Sequence, residues 1–247
     1  MTLIEGSAPY SNITDSNTGI LALHGFTGTV SSLEPLYRTF AEAGFNVECP
    51  RLSGHGYNWM ELEKVKYTDW LDDAENSLKV LQEKCNNTIV VALSMGGALA
   101  LYLAAMHPEI RGIILVNNAL ILRDKRLLFL PVLHHIIRTT PGIGSDIKDA
   151  SKKEICYDTV PTKAVYEMLK LYKHVKPMLH TVKQPSLIFK SKVDHVVPRI
   201  SALYTYKNIS SEQKELVWLE NSYHVATLDY DSGLICDLSM KFINRLL

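Results

Sequence analysis

No apolar run in the 247-residue sequence reaches membrane-spanning length; the longest near-apolar stretches are broken by Asn117, Asn118, Arg123 and Asp124. Neither sign of charge is in excess. The 26 Lys and Arg balance the 26 Asp and Glu, which leaves no basic surplus to hold nucleic acid. Residues 1–19 lack a basic segment followed by a long apolar one, so no secretory signal is read there. Cysteine is scarce, and Cys49, Cys85, Cys156 and Cys236 are widely spaced with no C-x-x-C pair. They read as reduced, mostly buried thiols, which points to a cytoplasmic protein. The N-x-S/T triplets at Asn12, Asn86 and Asn208 carry no meaning without a signal peptide. Polar low-complexity tracts and internal repeats are absent, which excludes a disordered chain or a solenoid. What the sequence has in quantity is apolar residues, 47% of the total. That suffices for one large α/β domain, or for a core with an inserted subdomain.

The most informative stretch is Thr88–Pro108. Thr88–Leu93 is apolar and rich in β-branched residues, which predicts a strand buried on both faces. Gly96–Met106 is apolar all round and ends near Pro108, which predicts a buried helix. Ser94 falls where strand must turn sharply into helix. Ala92, Gly96 and Gly97 are the small neighbours such a turn needs. The turn lifts the hydroxyl out of the sheet with a helix N-terminus behind it, the arrangement of a nucleophile elbow. The pattern reads A-x-S-x-G, one methyl away from the usual G-x-S-x-G. The alternative, Ser94 as an ordinary helix cap, does not explain the strand before it and the buried helix after it.

Along the rest of the chain, residues 1–18 are polar, with little to pack. Strands are predicted at Gly19–Leu23, Phe45–Pro50, Gly112–Asn117, Ser186–Lys190 and Glu215–Leu219. Helices are predicted from a Ser31/Glu34 capping box to Gly44, from a Thr68 cap through Leu81, from Pro198 to Lys207, and over Leu234–Leu246. This alternation means βαβ units and a parallel sheet. It breaks at about Ala119. Residues 119–182 read as a helical insertion, with short helical patterns around Lys152–Tyr157 and Thr162–Tyr172. Residues 1–118 and 183–247 then form the core, and 119–182 a cap.

Ser94, Asp194 and His224 each fall just past the end of a predicted strand, the edge where sites form in open parallel sheets. Their order is that of nucleophile, acid and base in α/β-hydrolases. Serine needs a base in contact, and the base needs a carboxylate to fix its tautomer. Competing groups have other readings. His195 is adjacent to Asp194 and reads as directed away. His24 braces the His24–Gly28 loop, His55 stabilises its own loop, and His107 caps a helix end. His134 and His135 belong to the insertion and lack metal-ligand spacing. Asp146 and Asp158 lie in the insertion, and Asp229 and Asp231 read as caps of the last helix. The backbone N–H groups of Phe26, in the glycine loop, and Met95, after the nucleophile, are the candidate oxyanion donors.

His24–Thr29, Leu93–Gly97, Asp194–Pro198 and Asn221–Asp231 resemble bacterial monoacylglycerol lipases and related carboxylesterases of the α/β-hydrolase superfamily. Pro50–Gly56 and Gly142–Lys148 extend the likeness over nearly the whole chain. The resemblance implies an α/β-hydrolase fold with an eight-strand-type core, a mostly parallel sheet flanked by helices, and a small helical cap. It implies catalysis by Ser94, Asp194 and His224, with Phe26 and Met95 at the oxyanion. It implies that Ile143 and Glu154 surround the glycerol group. Ala92 is the departure from the pattern. Independently, Leu127–Leu133, Ile136 and Ile137 form an apolar cluster flanked by Lys125, Arg126 and Arg138, suited to line an acyl tunnel or touch a lipid surface.

The expected function is therefore a serine hydrolase that cleaves monoacylglycerols to glycerol and fatty acid, using neither metal nor cofactor. A short-chain carboxylesterase or thioesterase on the same scaffold is the nearest alternative. A non-catalytic ligand-binding module is the alternative from another class. The expected partners are a small lipid ester and, through the cap, a lipid surface in transient contact. The expected location is the cytoplasm, with peripheral association at the membrane.

Overall fold

The computed structural model describes residues 2–247. β1 (Tyr10–Asn12) and β2 (Thr18–Leu23) precede a glycine loop, a 3-10 turn at Val30–Leu33 and α1 (Glu34–Glu42). β3 (Asn46–Cys49) leads to α2 (Trp59–Leu62) and α3 (Tyr67–Gln82). β4 (Asn87–Leu93) turns into α4 (Gly96–Met106), and β5 (Gly112–Val116) follows. Residues 119–182 carry 3-10 turns, α5 (Leu130–Leu133), β6 (Thr139–Pro141), β7 (Thr159–Pro161) and α6 (Thr162–Val175). β8 (Ser186–Ser191), α7 (Ile200–Asn208), β9 (Lys214–Leu219) and α8 (Ser232–Leu246) close the chain.

Seven strands form one sheet in the order β1-β3-β2-β4-β5-β8-β9, with every pairing parallel except β1 with β3. Alternate residues of the central strands enter two separate cores. Leu21, Leu23, Val90 and Ala92 face α3, α4 and α6, whereas Ile20, Ala22, Ile89 and Val91 face α1 and α8. Both faces are covered, which is why these strands read as continuous apolar runs. α4 is buried on all sides from Gly96 to Leu101, as its composition predicts, and reaches solvent at Met106.

Four local expectations are corrected. The sheet has seven strands where an eight-strand-type core was expected: the residues before β1 form turns and bond Ile4 N–H to Gly56 O, adding no further strand. That lead-in is not wholly unpacked, because β1 pairs with β3 and Tyr10 stacks on Tyr37 at 4.2 Å. Ser31 and Glu34 form no capping box; Glu34 pairs with Arg38, and Ser31 bonds to Thr29. Thr68 does not cap α3. The Asp69 carboxylate instead accepts from Lys66 N–H at 2.8 Å.

The stretch 119–182 leaves the sheet after β5 and returns at β8. It is not uniformly helical: residues 152–157 form no helix, and β6 and β7 make a separate two-stranded ribbon. α6 packs on α3 and α4, burying Leu171, Tyr172 and Val175 in the same core.

Candidate active site

Among the described residues only three non-glycine residues have positive φ: Thr27 (63°), Ser94 (53°) and Asn117 (46°). All three follow strands at the same edge of the sheet, after β2, β4 and β5. Such backbone costs about 1–3 kcal/mol per residue and persists where the surroundings over-determine it. Ser94 is held by N–H donation to Val116 O at 3.0 Å, while its carbonyl accepts from Gly97 and Ala119. A Cβ at Gly96 would lie 2.2 Å from Leu23 O, so only glycine lets α4 start this close to β2. Ala92 lies fully buried in β4, where its methyl is accommodated in the core.

The loops after β8 and β9 bring Asp194 and His224 to Ser94. His224 Nε2 lies 2.9 Å from Ser94 Oγ, and Nδ1 lies 3.0 Å from Asp194 Oδ2. Asp194 Oδ1 accepts from the Val196 and Val197 amides at 2.9 and 2.8 Å. Burial works against the Asp194 carboxylate, but the His224 ring and the Lys190 ammonium outweigh it and hold its pKa far below the usual range. His195 points away, with Nδ1 2.7 Å from Asp146.

Some supports were not read from the sequence. Asp146 Oδ2 accepts from both the His195 and His224 amides at 3.1 Å, tying the inserted stretch to the histidine loop. Asp229 does not cap α8; it accepts from the amides of Lys148, Asp149 and Tyr223. Asp231 occupies the position before α8, but its carboxylate turns to Asn221 N–H at 2.9 Å. Asn117 Nδ2 donates to His224 O at 2.7 Å and to Ser191 Oγ at 2.9 Å. The only sequence signal for these groups is polarity at a strand end, which Asn117 shares with many turn residues.

Phe26 lies beside Ser94 in the cleft, and Met95 is fully buried. Among the described residues neither amide donates to a protein acceptor outside regular structure. The loop that carries Phe26 is braced from both sides. Thr27 N–H donates to His55 Nε2 at 3.2 Å, and Thr27 O accepts from Tyr157 N–H at 3.2 Å. His24 Nε2 accepts from Leu52 N–H at 3.1 Å.

Burial lowers the pKa of His24 to about 4 and that of His55 to about 3. An unfolded chain protonates both near pH 6.5, so below that pH the unfolded state takes up more protons than the folded one. Stability is then lost as pH falls from about 6.5 towards the two folded values, at about 1.4 kcal/mol per unit for each histidine. The thermal midpoint should therefore drop steeply between pH 6.5 and 4.5. His55→Gln, which keeps an acceptor for Thr27, should lose part of that slope. Calorimetry across this range checks it; a flat midpoint would contradict the assignment.

The cleft above Ser94 has a volume of about 520 Å³. Its apolar wall comes from Leu122, Leu127, Val160, Val165, Met168 and Tyr172. Of the two roles open to the apolar cluster, the tunnel does not extend past Leu127: the side chains of residues 128–137 do not line the cleft, and Leu128, Phe129, Val132 and Ile136 are 65–77% exposed. The short α5 buries Leu130 but turns Val132 outward, and α6 supplies Val165, Met168 and Tyr172 to the wall. Ile143 lies at the rim, largely exposed.

Glu154 is not a solvated helix residue. It is buried in irregular chain against the cleft, and Oε1 accepts from Ser32 Oγ at 2.7 Å. A Cβ on Gly28 would lie 2.6 Å from Oε1, so glycine there makes room for the carboxyl. Burial raises the Glu154 pKa, opposed by the Ser32 hydrogen bond and the His224 ring. Among the described residues no group of three or more His, Cys, Asp or Glu is arranged to hold a metal, and no helix is long and apolar enough to cross a membrane.

The family described as serine aminopeptidase, S33, matches residues 15–231. The chain belongs to this family of α/β-hydrolases. It is 38% identical to a thermostable monoacylglycerol lipase of Bacillus sp. (strain H-257), over 98% of this chain and 96% of that protein. It is 25% identical to a carboxylesterase of Bacillus subtilis (strain 168), over 92% of each chain. A solved structure from work on LipS and LipT, two metagenome-derived lipolytic enzymes, superposes with a TM-score of 0.96 at 39% identity, covering 99% of this hydrolase and all (100%) of that chain. A monoacylglycerol lipase of Paleococcus ferrophilus shares the fold, with a TM-score of 0.80 at 13% identity and 99% of each chain covered.

Proposed function

We propose that the protein hydrolyses monoacylglycerols to glycerol and a fatty acid through an acyl-enzyme. The observation that carries this reading is the hydrogen-bonded series Ser94–His224–Asp194 at the floor of a cleft with one apolar wall and one buried carboxyl group. Ser94 Oγ attacks the ester carbonyl and gives its proton to His224 Nε2. Asp194 holds Nδ1–H and stabilises the imidazolium. The amides of Phe26 and Met95 hold the oxyanion. His224 then protonates the departing glycerol oxygen. Water, activated by the same base, releases the acyl chain. Residues 119–182 act as the cap, with the acyl chain along Leu122, Val160, Val165 and Met168. The similarity to a lipase over almost the full chain supports this substrate class above a short-chain esterase or thioesterase. A binding module would have no need of three catalytic groups in line.

Glycerol is the small, hydroxyl-bearing product, so its subsite needs an acceptor. Glu154 and Ile143 form that subsite, Glu154 accepting from a glycerol hydroxyl and Ile143 closing the rim. Glu154→Ala should weaken kcat/KM for a monoacylglycerol by about 1–3 kcal/mol, because a buried hydroxyl loses its acceptor. Hydrolysis of a p-nitrophenyl ester of the same acyl chain should barely change. Equal losses on the two substrates would remove Glu154 from the alcohol subsite.

The outward apolar face of the cap, with Lys125 and Arg126 beside it, docks on an anionic lipid surface from which single-chain lipids enter the cleft. Leu128→Ser/Ile136→Ser should reduce co-sedimentation with phosphatidylglycerol vesicles severalfold while leaving hydrolysis of a soluble ester intact. Unchanged sedimentation would exclude this face.

A further inference from the structure

Lys190 is a fully buried cation on β8, four residues before the triad aspartate. Its three N–H donors have three acceptors: the Asp194 Oδ2 carboxylate, Val197 O at 2.9 Å and Asn117 Oδ1 at 3.2 Å. The Asp194 oxygen it meets is the one that faces His224 Nδ1. Asn117, the third partner, also holds the His224 carbonyl. One ammonium group thus ties the ends of β5 and β8 to the acid and, through Asn117, to the base. Packing alone does not call for it, because an apolar side chain fills such a place at no desolvation cost. The hydrolytic steps above give Lys190 no part.

We propose that Lys190 is a positioning residue of the hydrolase: it locks the Asp194 carboxylate toward His224 and, by partly offsetting its charge, keeps the base unprotonated to lower pH. The proposal rests on the reading of Ser94, Asp194 and His224 as the triad. An imidazolium formed at His224 sees the Asp194 carboxylate through a shared oxygen, and the ammonium on that oxygen weakens the attraction. Other charged or titratable groups around the pair are fixed on neighbouring segments. Asp146 lies at the His224 amide and is paired with His195, Glu154 faces the cleft, and Arg199 opens the chain after Asp194, its guanidinium donating to Lys192 O. Lys190 alone bonds directly to the carboxylate as a cation. Its fixed orientation keeps the Asp194–His224 hydrogen bond aligned during proton transfer, so the loss of order on removal should appear in kcat rather than in KM.

The test is Lys190→Met in the full-length enzyme, with kcat and KM for a soluble p-nitrophenyl ester measured from pH 4.5 to 9. The proposal expects kcat to fall about tenfold and KM to stay within about twofold. The pH of half-maximal kcat/KM on the acid side should rise by about one unit. A folded Lys190→Met enzyme with an unmoved acid limb overturns the proposal. Should that variant fail to fold, the double variant K190M/D194N leaves no buried charge unpaired. Its His224 ring, followed by NMR, should titrate at higher pH than in D194N alone, and coincident titrations overturn the proposal. His224→Ala run in parallel separates the two claims. Retained activity there removes the triad reading itself, whereas its loss beside an unmoved acid limb in Lys190→Met removes only the role of Lys190.

Discussion

Ser94→Ala is expected to lower kcat by about 10⁴–10⁶ on any ester substrate while leaving the fold intact. The hydroxyl has one side-chain partner, His224 Nε2, and no other group at the cleft floor stands in line with that base. Alanine loses the nucleophile, so the residual rate comes only from the oxyanion donors and binding. The backbone should tolerate the change. The positive φ of Ser94 is fixed by bonds from its own N–H and to its carbonyl, which alanine keeps. Circular dichroism and the thermal midpoint should therefore match the parent, within a few degrees. A purified variant that retains more than a tenth of the parent rate would show that another residue is the nucleophile.

Asp194→Asn should cost about 10⁴ in kcat, by analogy with the serine proteases, and unlike Ser94→Ala it should also destabilise the protein. Asp194 is an acceptor on both oxygens, to two backbone amides on Oδ1 and to Lys190 and His224 on Oδ2. An asparagine must turn an NH₂ toward one of these pairs. If it faces His224, the ring adopts the wrong tautomer. If it faces Val196 and Val197, two buried amides lose their acceptor. In either case Lys190 keeps its charge and loses its counter-ion, which costs about 3–5 kcal/mol at a buried pair. Kinetics and calorimetry on one preparation test both parts. An unchanged rate would move the acid role elsewhere, and an unchanged midpoint would mean that the Asp194–Lys190 pair contributes nothing to stability.

The parts of this site that the sequence made legible are those dictated by local chemistry. The turn at Ser94 needs small residues beside it, and a strand buried on both faces is apolar throughout, so β4 and α4 announced themselves within twenty or so residues. The positions of Asp194 and His224 followed from the strand rhythm. Groups whose role depends on packing between distant segments were not legible. Asp146 lies far from His224 in sequence and meets its amide only after the inserted stretch folds back. Asn117 reads in the sequence as the last residue of its strand, with nothing to mark its bonds to the histidine loop. Lys190 reads as the end of its strand, although a lysine inside an apolar run four residues before an aspartate is a signal of a buried pair. Which role the apolar cluster of residues 127–137 takes was not legible for a related reason. An apolar cluster in sequence does not say which way it faces, and Leu128, Phe129, Val132 and Ile136 turn to solvent while residues of α6 line the cleft. β1 was missed because three residues paired antiparallel at a sheet edge leave almost no periodic pattern.

The proposed occupant of the cleft is one acyl chain beside a small hydroxyl-bearing group. The direct measurement is fatty-acid release from mono-, di- and triacylglycerols of the same acyl chain, presented in identical detergent micelles. Release from the monoacylglycerol should be rapid and rates at least about tenfold lower for the other two, because a second chain would have to enter the proposed polar subsite at Glu154. Triacylglycerol hydrolysis at a rate equal to that of the monoacylglycerol would contradict it.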